Sequence, residues 1–193
     1  MSPRVGLDTD TIVKAAIVMA DSEGIDAVTI ASLAKHLNIR PPSLYNHISG
    51  LEEVKKEVGI YGLEQLYERI AAAAANKSGD DAIKAISLAY VSYVRSHPGL
   101  YDATVQVPDL RDPDVQKVGE KIVNLVVQSF ANYHLSKEDA IHAVRGLRSI
   151  LHGFSALEQS NGFGLPLNVD LSLNFIIDTF LKGIHTMEGK SEK

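Results

Sequence analysis

Residues 29–50 read TIASLAKHLNIRPPSLYNHISG, and the side chains there that can do chemistry are hydrogen-bonding rather than nucleophilic. Ser43, Tyr45, Asn46 and His47 crowd together just after Pro42, with Thr29 opening the stretch and the cations Lys35 and Arg40 between. A hydroxyl, a phenol, an amide and an imidazole on one short helix would make a poor core, yet they match the donors and acceptors that phosphates and base edges display. From residue 27 to 51 there is no acidic side chain, although the chain as a whole carries a net charge of −5. The stretch is thus a small, weakly positive island on an acidic protein. Such a charge balance argues against a protein that coats nucleic acid by bulk electrostatics, and it suits a compact docking surface.

Other chemistry finds less support. His97, His134, His142 and His152 raise the question of a metal, and Glu138 and His142, four apart on a helix, can share a cation; no full ligand set accompanies them, so no metal site is expected. With no Cys, no Gly-x-Ser-x-Gly elbow and no His-Glu-x-x-His pair, the chain is not expected to be an enzyme, and no cofactor is implied. Tyr90, Tyr93, Tyr101, Phe130, His152 and Phe154 are the candidate lining of an apolar cavity, with Arg148, and Arg145 beside it, placed to meet an anionic group.

The elements that must position these groups are all helical. Ile12, Ala16, Met19 and Ala20 recur at helical spacing over residues 8–23, and Gly24 supplies a stop. Thr29 caps a helix whose apolar stripe is Ile30, Leu33, Ala34 and Leu37. Asn38 then tolerates a left-handed turn, and Pro41-Pro42 starts a second short helix, expected over 42–48, with Leu44 and Ile48 inward. Two short helices about a tight turn make a helix-turn-helix. A helix over 51–75 follows, about 38 Å long. Breaks at 76–79, at His97-Pro98-Gly99, at 107–113 and at 161–166 delimit further helices over about 80–94, 100–105, 113–133, 137–157 and 168–187.

The helix after Ser136 carries two apolar stripes, Ala140, Val144, Leu147, Leu151 and Phe154 on one and Ala143, Gly146, Ile150, Gly153 and Leu157 on the other, so it needs two packing partners. The expected fold is all-α with about nine helices: residues 1–50 form a three-helix DNA-binding domain, and residues 51–193 form a helical ligand-binding domain, to which the family resemblance given below adds dimerisation. No apolar run approaches a membrane span and no signal core opens the chain, so it is expected to be soluble, without a membrane partner, and cytoplasmic.

Gly24, the residues from Thr29 to His47 ending in Leu44-Tyr45-Asn46-His47-Ile48, and the long helix after them resemble the TetR-type repressor family. His97-Pro98-Gly99-Leu100-Tyr101 and Leu151-His152-Gly153-Phe154 are similar to a subgroup with a Trp-His-Gly signature, Leu151 standing where that signature has Trp. The resemblance implies a homodimer, joined through the last two helices, that places one recognition helix in each half-site of double-stranded operator DNA and is released by a small-molecule effector. It also implies that Pro42, Ser43, Tyr45, Asn46 and His47 touch DNA, Tyr45 and His47 on phosphates, with Thr29 near the backbone. Two departures are visible: Ala31 stands where an Arg is common, and Leu51 where a Lys is common, which leaves Lys55 one turn later to take that phosphate contact. The competing reading is an all-α small-molecule-binding or scaffold protein without DNA binding.

Overall fold

The structure is a computed structural model that describes residues 7–107, 109 and 111–187. Among these residues there are nine α-helices and no strand: α1 (Thr9–Glu23), α2 (Ile30–His36), α3 (Pro41–Leu44), α4 (Leu51–Ala74), α5 (Gly79–Ser96), α6 (Pro98–Val105), α7 (Pro113–Ser129), α8 (Lys137–Gln159) and α9 (Val169–His185). Short 3-10 turns occupy Ile25–Ala27 and Ala131–Tyr133. An expected loose N-terminal arm bearing Arg4 and a polar tail over 189–193 lie outside the described residues.

Helix boundaries differ from the sequence expectation most clearly at α3, at the α5–α6 joint and at the end of α7. The helix expected over 42–48 starts one residue earlier, with Pro41 at its first position, because a proline's missing N–H costs nothing there. Its α-helical part ends at Leu44 and continues as a helical turn, in which the His47 and Ile48 N–H groups both reach the Leu44 carbonyl. His97-Pro98-Gly99 is less a stop than a one-residue joint: α5 ends at Ser96, and Pro98 opens α6 directly. The helix expected to run to 133 ends at Ser129, followed by the 3-10 turn and a left-handed His134 (φ 49°).

The described chain falls into two compact units. The first, Met1–Gln65 with His97–Val118, is built on α1, whose face of Ile12, Ala16, Met19 and Ala20 is buried and packs on α2, α6 and the first 3-10 turn. Leu33 and Ala34 of α2, Leu44 of α3 and Ile48 close the helix-turn-helix core. Against this core α6 lies at near backbone contact. A Cβ on Gly99 would sit 1.8 Å from the Ala20 carbonyl oxygen, and one on Gly62 of α4 would sit 2.8 Å from the Leu100 carbonyl oxygen, so only glycine fits at either place. Two polar ties finish the unit: His97 Nδ1 lies 2.8 Å from Asp21 Oδ2, and Lys56 Nζ donates to Asp112 Oδ2 at 3.1 Å.

The second unit, Leu66–Ser96 with Gly119–Lys193, packs α5 against α8 and α9. Its core includes Ile83, Ile86, Val91, Tyr93 and Val94 from α5, Leu147, Leu151 and Phe154 from α8, and Leu173, Ile177 and Leu181 from α9. Of the two stripes on α8, the one through Leu147 and Leu151 is buried. The other is half covered: Gly146 seats the Phe180 ring, Gly153 faces open space and Leu157 is 50% exposed. Arg95 holds the ends of α8 and α9 together, donating from Nε and Nη2 to Glu158 and from Nη2 to Asp170 Oδ1 at 2.7 Å. These two carboxylates keep its guanidinium charged well above the usual range.

Candidate nucleic-acid interface

The candidate surface is assembled by hydrogen bonds that stop each short helix at the right place. At the start of α2, Thr29 Oγ1 accepts from the Ser32 N–H while Ser32 Oγ accepts from the Thr29 N–H, a reciprocal capping box. At its end, Asn38 takes a left-handed conformation (φ 54°); its N–H reaches the Lys35 carbonyl and the Ile39 N–H reaches that of Ala34, closing the helix in a Schellman motif. Arg40 is then extended (φ −86°, ψ 141°), as a residue before proline must be, and α3 begins.

Past α3 two further bonds hold the turn. Thr9 Oγ1 donates to the His47 carbonyl at 2.7 Å, tying the start of α1 to the end of the recognition segment. Glu53 in the first turn of α4 reaches back, its Oε2 accepting from the Ser49 N–H at 2.6 Å and from its hydroxyl at 2.8 Å. Those donors pull the Glu53 carboxyl below the usual range, the Ser49 N–H first.

With Leu44 and Ile48 fixed inward, the residues between them are presented outward. Tyr45 is 57% exposed, and Asn46, His47, Pro42, Arg40, Lys35 and Thr29 are also exposed; Ser43 and Lys55 are half-buried. All nine candidate DNA-binding residues lie on the two short helices, the turns beside them, and the second turn of α4. Lys56, the neighbour of Lys55, points its ammonium to Asp112 instead. Thr9 and Glu53 were not among the sequence candidates. A Glu at the third helical position after a serine is a signal that reveals Glu53; nothing local reveals Thr9, whose partner is 38 residues away.

The residues expected to line a cavity divide differently. Tyr90, Tyr93, Phe130 and Phe154 are buried in the second unit, and Tyr101 is buried in the first. Phe130 meets Tyr133 and Phe180 edge-on, Tyr93 lies beneath Arg69, and Phe154 packs at 5.0 Å, tilted, against Phe163 of the α8–α9 loop. Arg148 and His152 are exposed on the outer side of α8. The same loop borders an open depression of about 290 Å³ lined by Phe163, Leu165, Leu167 and Val169.

Residues 83–180 match the family model described as the C-terminal domain of tetracyclin repressor-like proteins. The chain is 41% identical over 185 residues to YobS, an uncharacterized HTH-type transcriptional regulator of Bacillus subtilis, covering 95% of this chain and 96% of that protein. A second uncharacterized HTH-type transcriptional regulator, from Mycobacterium tuberculosis, is 34% identical over 155 residues, 80% of this chain and 71% of its own. Among solved structures, a TetR variant of Acinetobacter baumannii in complex with minocycline superposes with a TM-score of 0.72 at 17% identity, covering 97% of each chain. A capped helix-turn-helix, α2 and α3 packed with α1, a C-terminal half that matches this family's model and a near full-length regulator relative lead to one conclusion: the chain belongs to the TetR family of helix-turn-helix transcriptional regulators.

Proposed function

We propose that this regulator is a repressor that binds a palindromic operator as a homodimer and is released by a small molecule, acting in the cytoplasm. In this reading residues 1–50 bind DNA and residues 51–193 bind the effector and the second copy. The observation that carries it is the outward display of Tyr45, Asn46 and His47 on a segment whose inward side is sealed by Leu44 and Ile48 and whose own stretch of chain, residues 27–51, holds no acid. Tyr45 and His47 flank Asn46 and take phosphates; Thr29, Lys35, Arg40 and Lys55 add backbone contacts around them, and Pro42 and Ser43 complete the contact surface.

Two permanent cations per reading segment, Lys35 and Arg40, bind DNA weakly alone, so two copies are needed. The second copy docks on α8 and α9, where Leu171 (68% exposed) and Phe175 (73% exposed), one turn apart on α9, and Leu157 on α8 are apolar side chains left exposed. A large exposed patch of this kind marks an interface, and two helices from each copy make a four-helix bundle. The structural similarity to an A. baumannii TetR variant solved in complex with minocycline supports a small-molecule effector, and we place it in the C-terminal half. Tyr90, Tyr93, Tyr101, Phe130 and Phe154 are its apolar candidates, and Arg148 and His152 the polar ones. The effector acts only by binding one conformer better than the other, favouring the one whose recognition helices miss the half-site spacing.

A gel-shift with genomic fragments, repeated as salt is raised, tests the reading. The expected result is a specific complex that weakens steeply with salt. Tyr45→Ala or His47→Ala should weaken it about tenfold or more while the dimer survives in sedimentation. Absence of any salt-sensitive specific complex would leave an all-α binding protein without DNA as the better reading.

A further inference from the structure

We propose that Asn46 is the residue that identifies a base in the half-site, and that the base is adenine, read in the major groove through its N6 amino group and N7. The inference rests on the DNA-binding reading above and adds what the surface recognises. Three observations single out Asn46. First, the segment after α3 keeps helical bonding through Ile48, and both Leu44 and Ile48 are buried, at 0% and 4% exposure. Asn46, midway between them, is exposed and lies on the side of the turn opposite that buried pair, the side that faces outward from the unit.

Second, its amide has no side-chain partner among the described residues, so both its donor and its acceptor are available. Close by, the His47 backbone carbonyl takes the Thr9 hydroxyl and Ser49 is held by Glu53, so neither of these two groups competes with the amide. Third, the backbone beneath it is immobilised from both ends. Pro41 and Pro42 fix the start of α3, and the Thr9 bond fixes the residue after Asn46. A reader of base edges needs such a rigid platform, because a bidentate pair tolerates little misplacement.

Chemistry then selects the base. A carboxamide presents one acceptor and one donor side by side, which complements the N6 donor and N7 acceptor of adenine; guanine offers two acceptors there, and thymine a single acceptor beside its methyl group. Pro41 and Pro42 cannot compete for the same edge, since neither has an N–H and their rings offer only apolar contact. Arg40, an exposed cation just before them, is left for a phosphate.

The test begins with selection of binding sequences from a randomised duplex pool by the full-length protein, followed by the same selection with Asn46→Ala. The expected result is one adenine per half-site, conserved for the native protein, whose preference falls by roughly tenfold in the variant while the other positions keep theirs. Replacing that adenine by 7-deazaadenine in a synthetic operator should weaken the native protein and leave Asn46→Ala unaffected. Two results overturn the proposal: Asn46→Ala weakening every sequence equally, which would put the amide on the backbone, or leaving the selected sequence unchanged. A native protein that selects no sequence fails the DNA-binding reading itself, a distinguishable outcome. Circular dichroism of Asn46→Ala should match the native protein, because the side chain supports no packing.

Discussion

At the scale of single residues, the interface is governed by who holds whom. Asp112 is an instance on the first unit: its Oδ2 accepts from Lys56 Nζ, and its Oδ1 accepts from the Asp114 N–H at the start of α7. The lysine first, and that N–H second, hold its carboxyl below the usual range. A carboxyl whose folded value lies below its unfolded one stabilises the fold above the unfolded value and loses that contribution as pH falls through the folded one. The thermal midpoint of the native protein is therefore expected to drop more steeply below about pH 4 than that of Asp112→Asn, measured by differential scanning calorimetry from pH 7 to pH 3. Asp80 behaves in the same sense, held low by the Tyr133 hydroxyl first and His185 after it. Neither residue stands near the recognition segment in sequence, and their partners, 56 and 53 positions away, follow from no local pattern.

At the scale of elements, the closest packing in the first unit is where α6 meets α1. With the Ala20 carbonyl 1.8 Å from where a Cβ on Gly99 would be, the neighbour in the way is backbone rather than a side chain able to turn aside. Gly99→Ala must therefore push α6 away from α1. Its cost is expected at about 3 kcal/mol or more, the upper end for overpacking a tight core. Urea denaturation followed by circular dichroism checks this, and Gly153→Ala, where nothing lies within 4 Å, serves as the control with a change below about 1 kcal/mol. His97 strengthens the same junction through Asp21, so the His97-Pro98-Gly99 joint is a packing device as well as a break between helices.

At the scale of the whole molecule, the apolar side of α9 left uncovered by its own chain sets the expected assembly. Phe175→Asp, in the middle of that side, should convert the proposed dimer to a monomer in sedimentation velocity without unfolding it, since the ring is 73% exposed and supports no core. Operator affinity should fall with it by about two orders of magnitude, the scale on which linking two binding modules raises avidity. Retention of a dimer would move the interface elsewhere.

Much of this was legible in the linear chain. Helical periodicity, the Thr29 cap, Asn38 and the two prolines specify the helix-turn-helix because each acts within a few residues of itself, through spacing, capping and steric preference. Tyr45, Asn46 and His47 could be placed outward for the same reason: Leu44 and Ile48 announce the inward side.

Tertiary structure alone decided the rest. Thr9 reaches His47 across 38 residues, and Arg95 joins Glu158 and Asp170 across more than 60. Tyr101 belongs to the first unit and the other aromatics to the second, and Arg148 and His152 are exposed on α8 although their spacing allowed either side. A helix with two apolar stripes states that it needs two partners, but which stripe its own chain covers depends on where distant helices pack, and no period of 3.6 residues encodes that choice.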